Sequence, residues 1–342
     1  MAVTLTPPAT VTTAAPAGRR RVAAALAVLA VAGVAGLVFS RVASPGLLNV
    51  GVTLFAYVAL AEAWNLLGGL SGQMSLGVGA FVGTGAYAMA LAMVHLGWTW
   101  LPGLVAATVA AGVVSALLAF PLLRLHGDYF AVGTLAAALA IEAWVNNWTF
   151  AGGSSGISLT VNSVPTLDGL YLIGLVVAVV AVAATIVMRW SRFGLRLLSI
   201  REDELSASLL GVNVFRYRLV VIVVSGMLTG LAGGVFALTQ INFVPGDMFG
   251  MSWTIGALLM VIVGGMGTVV GPVVGAVAIY YGLDTELATY PTLSLFLEGG
   301  LLVAIVRFVP GGLWPFALHH GRSLAAQARA RVRLVRRAPS GP

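Results

Sequence analysis

The sequence predicts an all-α protein that crosses a membrane many times. Hydrophobic residues make up 59% of its 342 residues and charged residues only 8%, whereas soluble proteins carry about 25% charged residues. Apolar runs follow one another from residue 22 to residue 309, with no hydrophilic domain between them. A bilayer core about 30 Å thick needs about 20 apolar residues per helix. We therefore expect one integral membrane domain with eight to ten transmembrane helices, of which ten is the preferred number.

The apolar runs define the expected spans. They fall at 22–39, 47–67, 74–96, 101–122, 129–148, 170–188, 217–239, 251–270, 271–287 and 293–309. The third run is rich in glycine, the fifth has polar interruptions and the ninth is short, and for this reason the expected count is a range. The first run follows three arginines and resembles a signal peptide. Its length and the absence of an A-x-A site after it favour an uncleaved first helix.

The arginine distribution predicts the orientation of the chain. All 18 basic residues are arginine, and they occur at 19–21, 41, 124, 189–218 and 307–337. Basic residues mark cytoplasmic ends of membrane helices. A cytoplasmic N-terminus puts every cluster except Arg41 inside and makes the C-terminus cytoplasmic as well. The net charge of +7 is therefore a topology signal, and we expect a lipid bilayer rather than nucleic acid as the partner surface.

The predicted domain organisation has three parts. Residues 1–20 form a disordered cytoplasmic tail rich in Thr, Pro and Ala. Residues 21–318 form the transmembrane domain, which includes a charged cytoplasmic loop at 189–218. Residues 319–342 form an arginine-rich cytoplasmic tail that lies against anionic lipid or is solvated.

Composition excludes several kinds of chemistry. The chain has no cysteine and no lysine, so it has no cysteine-ligated metal site and no Walker A lysine for a P-loop. No catalytic signature occurs, and the four histidines do not form a ligand set. We expect no catalytic residue, no metal site and no cofactor bound by this chain, and we do not expect it to be an enzyme.

A glycine-dense run from Gly68 to Gly85 has two interpretations. Small residues let membrane helices approach closely. An unwound helix is tolerated at membrane depth only where protein buries it or where it lines a water-filled cavity. The run therefore serves packing alone, or it also contributes to a translocation path. Its polar members are Ser71, Gln73 and Ser75, and its further glycines are Gly77, Gly79 and Gly83.

A second glycine run, Gly264 to Tyr280, resembles the segment from Gly68 to Tyr87. Both begin with Gly-Gly and carry small residues every few positions. Many transporters are built from repeated halves. Chance similarity between glycine-rich membrane helices explains the pattern equally well.

Few polar residues lie within the predicted spans. Glu62 is the only acidic or basic residue between Val42 and Leu123, and Asn65 follows it on the same helical face. An acidic residue deep in a span marks a functional site, because burying its charge in the membrane is costly. Near the cytoplasmic end it would instead be solvated. Glu142 and Asn146 form a similar pair towards the outer face.

The loop at 189–218 is the longest cytoplasmic segment between spans. Its middle part, 201–210, is predicted to be a short helix with an apolar stripe of leucines, and Gly211 is the expected C-terminal cap. Gly194 and Gly211 would frame this helix. A short amphipathic helix with dense charge suits docking onto a partner protein. The alternative is a solvated loop that only orients the protein.

Several blocks of the chain resemble the permeases of branched-chain amino-acid ABC importers. They are WNLLGGLSGQMSLGVGAFVGTGAYAMAL (64–91), LRLHGDYFAVGTLA (123–136), NNWTFAGGSSGI (146–157), SRFGLRLLSIREDELSASLLGVNVFRYRL (191–219), LTGLAGGVFAL (228–238), MVIVGGMGTVVGPVVGA (260–276) and RFVPGGLW (307–314). They run in the family's order across nearly the whole membrane domain. The Gly-Asp-Tyr-Phe and Arg-Glu-Asp-Glu blocks resemble the second of the two paired permeases.

The resemblance implies the fold of an ABC importer permease in a bacterial inner membrane. It implies four kinds of partner: a second permease, two cytoplasmic ATP-binding subunits that hold ATP and magnesium, and an extracytoplasmic solute-binding protein. The loop at 189–218 would couple the permease to the ATPase. The residues expected to do so are Arg192, Gly194, Arg201, Glu202, Asp203, Glu204, Leu209 and Gly211.

The transported solute stays open at this point. Branched-chain amino acids are the first expectation, and relatives that carry urea, short amides or other small solutes are the alternative within the family. An ion-coupled secondary transporter that uses Glu62 or Glu142 as a cation site is the competing class. The residues expected to line the path are Glu62, Asn65, Ser71, Gln73, Ser75, Glu142 and Asn146.

Overall fold

The computed structural model describes residues 16–160, 164–280 and 311–316, together with the single residues 300, 303 and 307. Within these residues, eight helical segments are long and apolar enough to cross a membrane. The fold is therefore the predicted all-α polytopic one. Most of the predicted span 293–309 and the whole tail 319–342 lie outside the described residues.

The first six long helices lie close to the predicted spans. They are α1 (Pro16–Phe39), α2 (Pro45–Trp64), α3 (Val78–His95), α4 (Trp100–Leu122), α5 (Asp128–Asn146) and α6 (Leu167–Trp190). Because α1 begins at Pro16, the last part of the predicted disordered tail is helical. Pro45 stands in the first turn of α2, where its missing N–H would have no helical partner anyway.

Two short helices follow α6 in place of the single helix predicted at 201–210. They are α7 (Arg192–Glu202) and α8 (Glu204–Leu209). The predicted boundaries were wrong because two N-caps divide the segment. The side chain of Ser191 accepts a hydrogen bond from the N–H of Gly194, and Asp203 caps α8 in the same way. Gly194 lies inside the first turn of α7 and does not frame a helix.

Four further helices follow. They are α9 (Val214–Gln240), α10 (Pro245–Phe249), α11 (Ser252–Gly264) and α12 (Val270–Ile279). Helix α9 lies close to the predicted span 217–239, whereas the helices after it differ from the prediction. The predicted span 251–270 is broken after Gly264, because Gly265 and Gly267 adopt positive φ angles of 122° and 76° that end a right-handed helix. The described part of the predicted span 271–287 is the ten-residue helix α12.

Glycines determine how the long helices pack. Helices α3, α4 and α9 pack against one another, and α2 packs on both α6 and α9. A Cβ atom at Gly85 of α3 would lie 2.6 Å from the Cα of Gly230 in α9, so the two backbones are in direct contact there. Such close approach gives membrane helices much of their packing energy. Helix α1 packs on α6 and is largely exposed.

The two ends of the helical bundle differ in structure. At one end, strand β1 (Ile157–Ser158) pairs antiparallel with strand β2 (Asn242–Phe243) and ties the segment after α5 to the link after α9. The opposite end carries Arg124 and the segment α7–α8. We refer to this second end as the inner end, because the positive-inside rule assigns it to the cytoplasm.

Candidate translocation path and coupling segment

A broken helix lies at the inner end of α2 and α3. Helix α2 continues into a π-helix, Asn65–Leu70, and the chain is then unwound from residue 72 to residue 77 before α3 begins at Val78. The predicted start of the third span at 74 was therefore wrong, because Gly72 adopts a positive φ of 74°. π-Helical turns occur frequently at functional sites.

Side chains of α2, α5 and α11 bind the unwound backbone. Leu76 donates its N–H to the hydroxyl of Thr134 in α5 at 2.9 Å, and its carbonyl accepts a hydrogen bond from Thr254 of α11 at 3.1 Å. The indole of Trp64 in α2 donates to the carbonyl of Ser75 at 3.0 Å. Buried backbone polar groups need such partners. The break is therefore held in place by the surrounding protein.

The three polar candidates in this stretch are buried within it. Ser71 donates its hydroxyl to the carbonyl of Leu67 at 2.8 Å and lies 3.3 Å from the amide oxygen of Gln73. The hydroxyl of Ser75 accepts a hydrogen bond from the N–H of Gly77 at 3.3 Å. The three side chains are at most 8% exposed. They stabilise the break, and they would face a solute only if the segment moved.

The glycines that follow serve packing. A Cβ atom at Gly77 would lie 2.5 Å from the carbonyl oxygen of Thr134, and one at Gly79 would lie 2.8 Å from the carbonyl carbon of Phe249. A Cβ at Gly83 would lie 2.5 Å from the ring of Phe249. Because real Cβ atoms do not approach other atoms this closely, these positions require glycine.

Glu62 is fully buried, so the alternative of a solvated carboxylate at the end of the helix was wrong. Its side chain is 0% exposed, and neither carboxylate oxygen has a hydrogen-bond partner among the described residues. Asn65 and Thr185 lie near it. However, Thr185 donates its only hydroxyl proton to the carbonyl of Ala181, and Asn65 directs its amide nitrogen at the carbonyl of Thr268. A buried polar group without a partner is costly and often has a functional reason.

Asn65 connects the π-helix to the loop between α11 and α12. Its Nδ2 donates to the carbonyl of Thr268 at 2.7 Å, and its Oδ1 accepts from the N–H of Gly267 at 2.8 Å. A Cβ atom at Gly69 would lie 2.7 Å from the nitrogen of Gly267. The two glycine runs that look alike in sequence therefore meet at the inner end, each at a break between two helices.

Glu142 and Asn146 lie elsewhere. They are half-buried near the C-terminal end of α5, the end that leads to strand β1, whereas Glu62 and Asn65 lie at the inner end. A Cβ atom at Gly246 would lie 3.8 Å from Oε1 of Glu142. The structure thus separates the predicted path residues into an inner group and an outer group.

Local capping fixes the shape of the segment α7–α8, which contains most of the predicted coupling residues. The carboxylate of Asp203 accepts hydrogen bonds from the hydroxyl of Ser206 at 2.7 Å and from the main-chain N–H of Leu205 at 2.9 Å. The hydrogen bonds from Ser206 hold the pKa of Asp203 below its usual range.

The C-terminal end of α8 is capped as well. Gly211 has a φ of 81°, and its N–H donates a hydrogen bond to the carbonyl of Ser208. The N–H of Val212 donates to the carbonyl of Ala207. This is a Schellman C-cap, as the sequence predicted for Gly211.

Helix α8 and its C-cap residue Leu210 present three leucines to the outside. Leu205, Leu209 and Leu210 are 70%, 80% and 83% exposed. Glu204 forms an ion pair with Arg218 at 2.9 Å, which anchors α8 to the first turns of α9. Arg192 and Glu202 are exposed. The segment therefore combines a fixed backbone with an exposed apolar surface.

Two of the predicted coupling residues face the permease itself. Gly194 is buried, and a Cβ atom there would lie 2.8 Å from the carbonyl oxygen of Arg189. Arg201 donates a hydrogen bond from Nη1 to the carbonyl of Gly69 in the π-helix. Sequence reasoning missed Gly267 and Thr268 as members of this site. The repeated Gly-Gly pattern was the signal that could have pointed to them.

The comparisons with known proteins agree with this architecture. The family described as branched-chain amino acid transport system / permease component matches residues 46–306. The chain belongs to this family. It is similar to the high-affinity branched-chain amino acid transport system permease protein LivM of Escherichia coli. The two are 31% identical over 328 residues, and the aligned region covers 85% of this chain and 74% of that protein.

Other relatives are consistent with this assignment. The LivM protein of Salmonella typhimurium is 30% identical over 323 residues, which cover 84% of this chain and 74% of that protein. The nucleoside ABC transporter permease protein NupC of Lactococcus lactis is 31% identical over 153 residues, 40% of this chain and 48% of that protein. No solved structure matches the chain. The predicted resemblance is confirmed: the chain is a multi-pass permease of an ABC importer in the bacterial inner membrane.

Proposed function

We propose that this permease provides part of the path by which branched-chain amino acids enter the cell, and that α7–α8 docks onto an ATP-binding partner subunit. The exposed leucine surface of α8 is the observation that carries the docking proposal. Three leucines at 70% exposure or more on a capped helix at the inner end would leave apolar area in water. A partner groove would cover it, as amphipathic helices are covered in other complexes.

The partners follow from this arrangement and from the family. A second permease would complete the path, two ATP-binding subunits would supply the energy, and a solute-binding protein would deliver the solute outside. The chain has no lysine for a P-loop, which supports the proposal that ATP and magnesium are held by the partner subunits. The outer pair Glu142 and Asn146 would meet the incoming solute, and the inner group around Glu62 would meet it on release.

Uptake into proteoliposomes tests the proposed function. The chain is reconstituted with its second permease, the ATP-binding subunits and the binding protein, and labelled leucine uptake is measured with ATP inside. We expect uptake that requires ATP, requires the ATP-binding subunits and is unaffected by an uncoupler. Competition with isoleucine, valine, urea and guanosine then identifies the solute, because some relatives are nucleoside permeases.

A docking variant tests the role of α8. We expect Leu209→Glu to abolish co-purification of the ATP-binding subunits, because a charge would replace an apolar contact. Leu96→Glu is the matched control, since Leu96 is 63% exposed beyond the end of α3, at the opposite end of the bundle. Retention of the ATP-binding subunits by the Leu209 variant would contradict the docking proposal.

Ion-coupled transport is the second candidate. The observation that favours it is the buried carboxyl group of Glu62, which has no hydrogen-bond partner within the residues that the structure describes. A buried carboxyl could bind a proton or a cation that moves with the solute. Uptake by the purified chain alone, abolished by an uncoupler and independent of ATP, would establish this function in place of the first.

A further inference from the structure

Arg201 lies in the predicted coupling segment, yet both ends of its side chain contact the permease. Its Nη1 donates a hydrogen bond to the carbonyl of Gly69, which is 132 residues away in sequence. Its aliphatic part lies against Gly72, where an added Cβ atom would be 2.9 Å from Cγ of Arg201. Gly72 is the first unwound residue and has a positive φ of 74°. The arginine therefore contacts the break between α2 and α3 directly.

The carbonyl of Gly69 lies in the last turn of the π-helix and needs a hydrogen-bond donor from outside that helix. The last carbonyls of a helix have no partner within the helix, and a cation is favoured at this end of the helix dipole. The carbonyl of Leu67, two residues earlier, is bound by Ser71 and Gln73. Arg201 supplies the corresponding hydrogen bond to Gly69 from outside the helix. The end of the π-helix is thus stabilised by a residue of the coupling segment.

The loop between α11 and α12 lies against the hydrogen bond between Arg201 and Gly69. A Cβ atom at Gly267 would lie 2.8 Å from Nη1 of Arg201 and 3.0 Å from the carbonyl oxygen of Gly69. The N–H of Gly267 binds Asn65 of the π-helix. We call the set formed by Asn65, Gly69, Gly72, Arg201, Gly267 and Thr268 the inner junction. It joins the coupling segment, the broken helix and the loop between α11 and α12.

We propose that Arg201 is a positioning residue that transmits movement of α7–α8 to the broken helix through the inner junction, and that it makes no contact with the ATP-binding subunit. This inference rests on the proposed function of α7–α8 as the docking segment. Docking and transmission then belong to different residues. The leucines of α8 are exposed; Arg201 is exposed as well, but its guanidinium donates a hydrogen bond to Gly69 of the permease.

The test compares three variants in the complete reconstituted complex: Arg201→Gln, Leu209→Glu and the control Arg216→Gln. Arg216 is an exposed arginine in the first turn of α9, so its variant removes the same charge from the same region. Three quantities are measured: co-purified ATP-binding subunits, ATP hydrolysis and leucine uptake. The ATP hydrolysed per leucine imported is the decisive readout, since general loss of folding would lower assembly, hydrolysis and uptake together.

For Arg201→Gln we expect normal assembly, persistent ATP hydrolysis and uptake reduced by about ten- to hundredfold, the factor given by loss of one hydrogen bond to a charged group. Arg216→Gln should match the wild type. Loss of assembly in Arg201→Gln would show that Arg201 is a docking contact and would overturn the inference, as would normal uptake. Normal assembly in Leu209→Glu would overturn the docking proposal instead, so the two failures are distinguishable.

Gly72→Ala is a second variant that disturbs the contact between Arg201 and the broken helix, here by a change in the broken helix. Its methyl group would collide with the stem of Arg201 and would strain a backbone with positive φ. We expect the same increase in ATP hydrolysed per leucine imported. A Gly72→Ala variant that couples normally would count against transmission through the inner junction.

Discussion

The main-chain N–H of Gly267 donates a 2.8 Å hydrogen bond to the side-chain oxygen of Asn65, 202 residues away in sequence. The amide nitrogen of Asn65 returns a hydrogen bond to the carbonyl of Thr268, the next residue. One side chain thus satisfies two peptide groups in the loop where the predicted eighth span is broken. This pair of hydrogen bonds replaces part of the backbone bonding that an unbroken helix would provide.

Replacement of Asn65 should destabilise the protein. In Asn65→Ala the N–H of Gly267 and the carbonyl of Thr268 lose their partner, and each unsatisfied buried group costs about 1–3 kcal/mol. We expect a lower thermal unfolding midpoint in detergent and faster proteolysis at 265–269. Asn147→Ala is the control, because the Asn147 amide donates to Ala143 at an exposed position. Equal midpoints for the two variants would show that Asn65 does not hold the loop.

Glu62 is expected to lower the stability of the fold and to support transport. Glu62→Leu removes a fully buried carboxyl group without a partner among the described residues, so we expect it to stabilise the protein by about 1–3 kcal/mol. Leucine uptake by the complete complex should fall, because the polar group is kept at a cost to stability. Unfolding in detergent and uptake in proteoliposomes measure the two effects.

Two further variants make this result specific. Glu62→Gln keeps polar atoms at the same place and should give no gain in stability. Met89→Leu changes another fully buried side chain while conserving its volume and should alter neither property. A lower unfolding midpoint in Glu62→Leu would mean that the carboxyl group makes a stabilising interaction.

Low pH should destabilise the N-terminal turn of α8. The pKa of Asp203 is lowered in the folded protein, chiefly by the hydroxyl of Ser206. A carboxylate with a lowered pKa contributes its full stabilisation above its unfolded pKa of about 3.9. This contribution is lost as the pH falls through the folded pKa. We therefore expect the amides of Leu205 and Ser206 to be protected from hydrogen exchange at about pH 5 to 7, which is about one unit or more above the unfolded pKa. They should lose this protection in stronger acid.

Substitutions separate the cap from the charge. Asp203→Ala should remove this protection at every pH, whereas Asp203→Asn should keep most of it and lose the pH dependence, because asparagine is also a good N-cap. Ser208→Ala leaves the N-cap intact and serves as the control. Protection that is the same in Asp203→Ala and in the wild type would contradict the capping role.

A disulfide can test the contact between α7 and the broken helix. A Cβ atom at position 72 would lie 3.5 Å from the Cβ of Arg201, within the range of about 3.5–4.5 Å found in disulfides. Because the chain has no cysteine, the double variant Gly72→Cys with Arg201→Cys contains only this pair. We expect a linked peptide in mass spectrometry after mild oxidation.

The matched control for cross-linking pairs Gly72→Cys with Arg196→Cys. Arg196 lies on the same helix but binds the hydroxyl of Tyr217, so no efficient cross-link is expected. Equal cross-linking of the two pairs would show that α7 has no fixed orientation towards the broken helix.

Composition and local pattern predicted much of this protein. Apolar runs of about 20 residues locate most of the long helices because each helix satisfies its own backbone in the membrane. Capping also depends on neighbours in sequence, which is why Gly211 was identified correctly. Asp203 was placed inside a helix because a run of charged residues does not show where one short helix ends and the next begins.

The contacts between distant segments were decided by the tertiary structure. In a membrane protein, lipid and protein core are both apolar, so the spacing of hydrophobic residues does not show which helix face is buried. The sequence could not show that Gly85 contacts Gly230, that Glu62 is enclosed with no hydrogen-bond partner in the described part of the chain, or that Arg201 binds Gly69. Each depends on how separate helices approach one another, and this is set by packing over the whole chain rather than by the residues next to them.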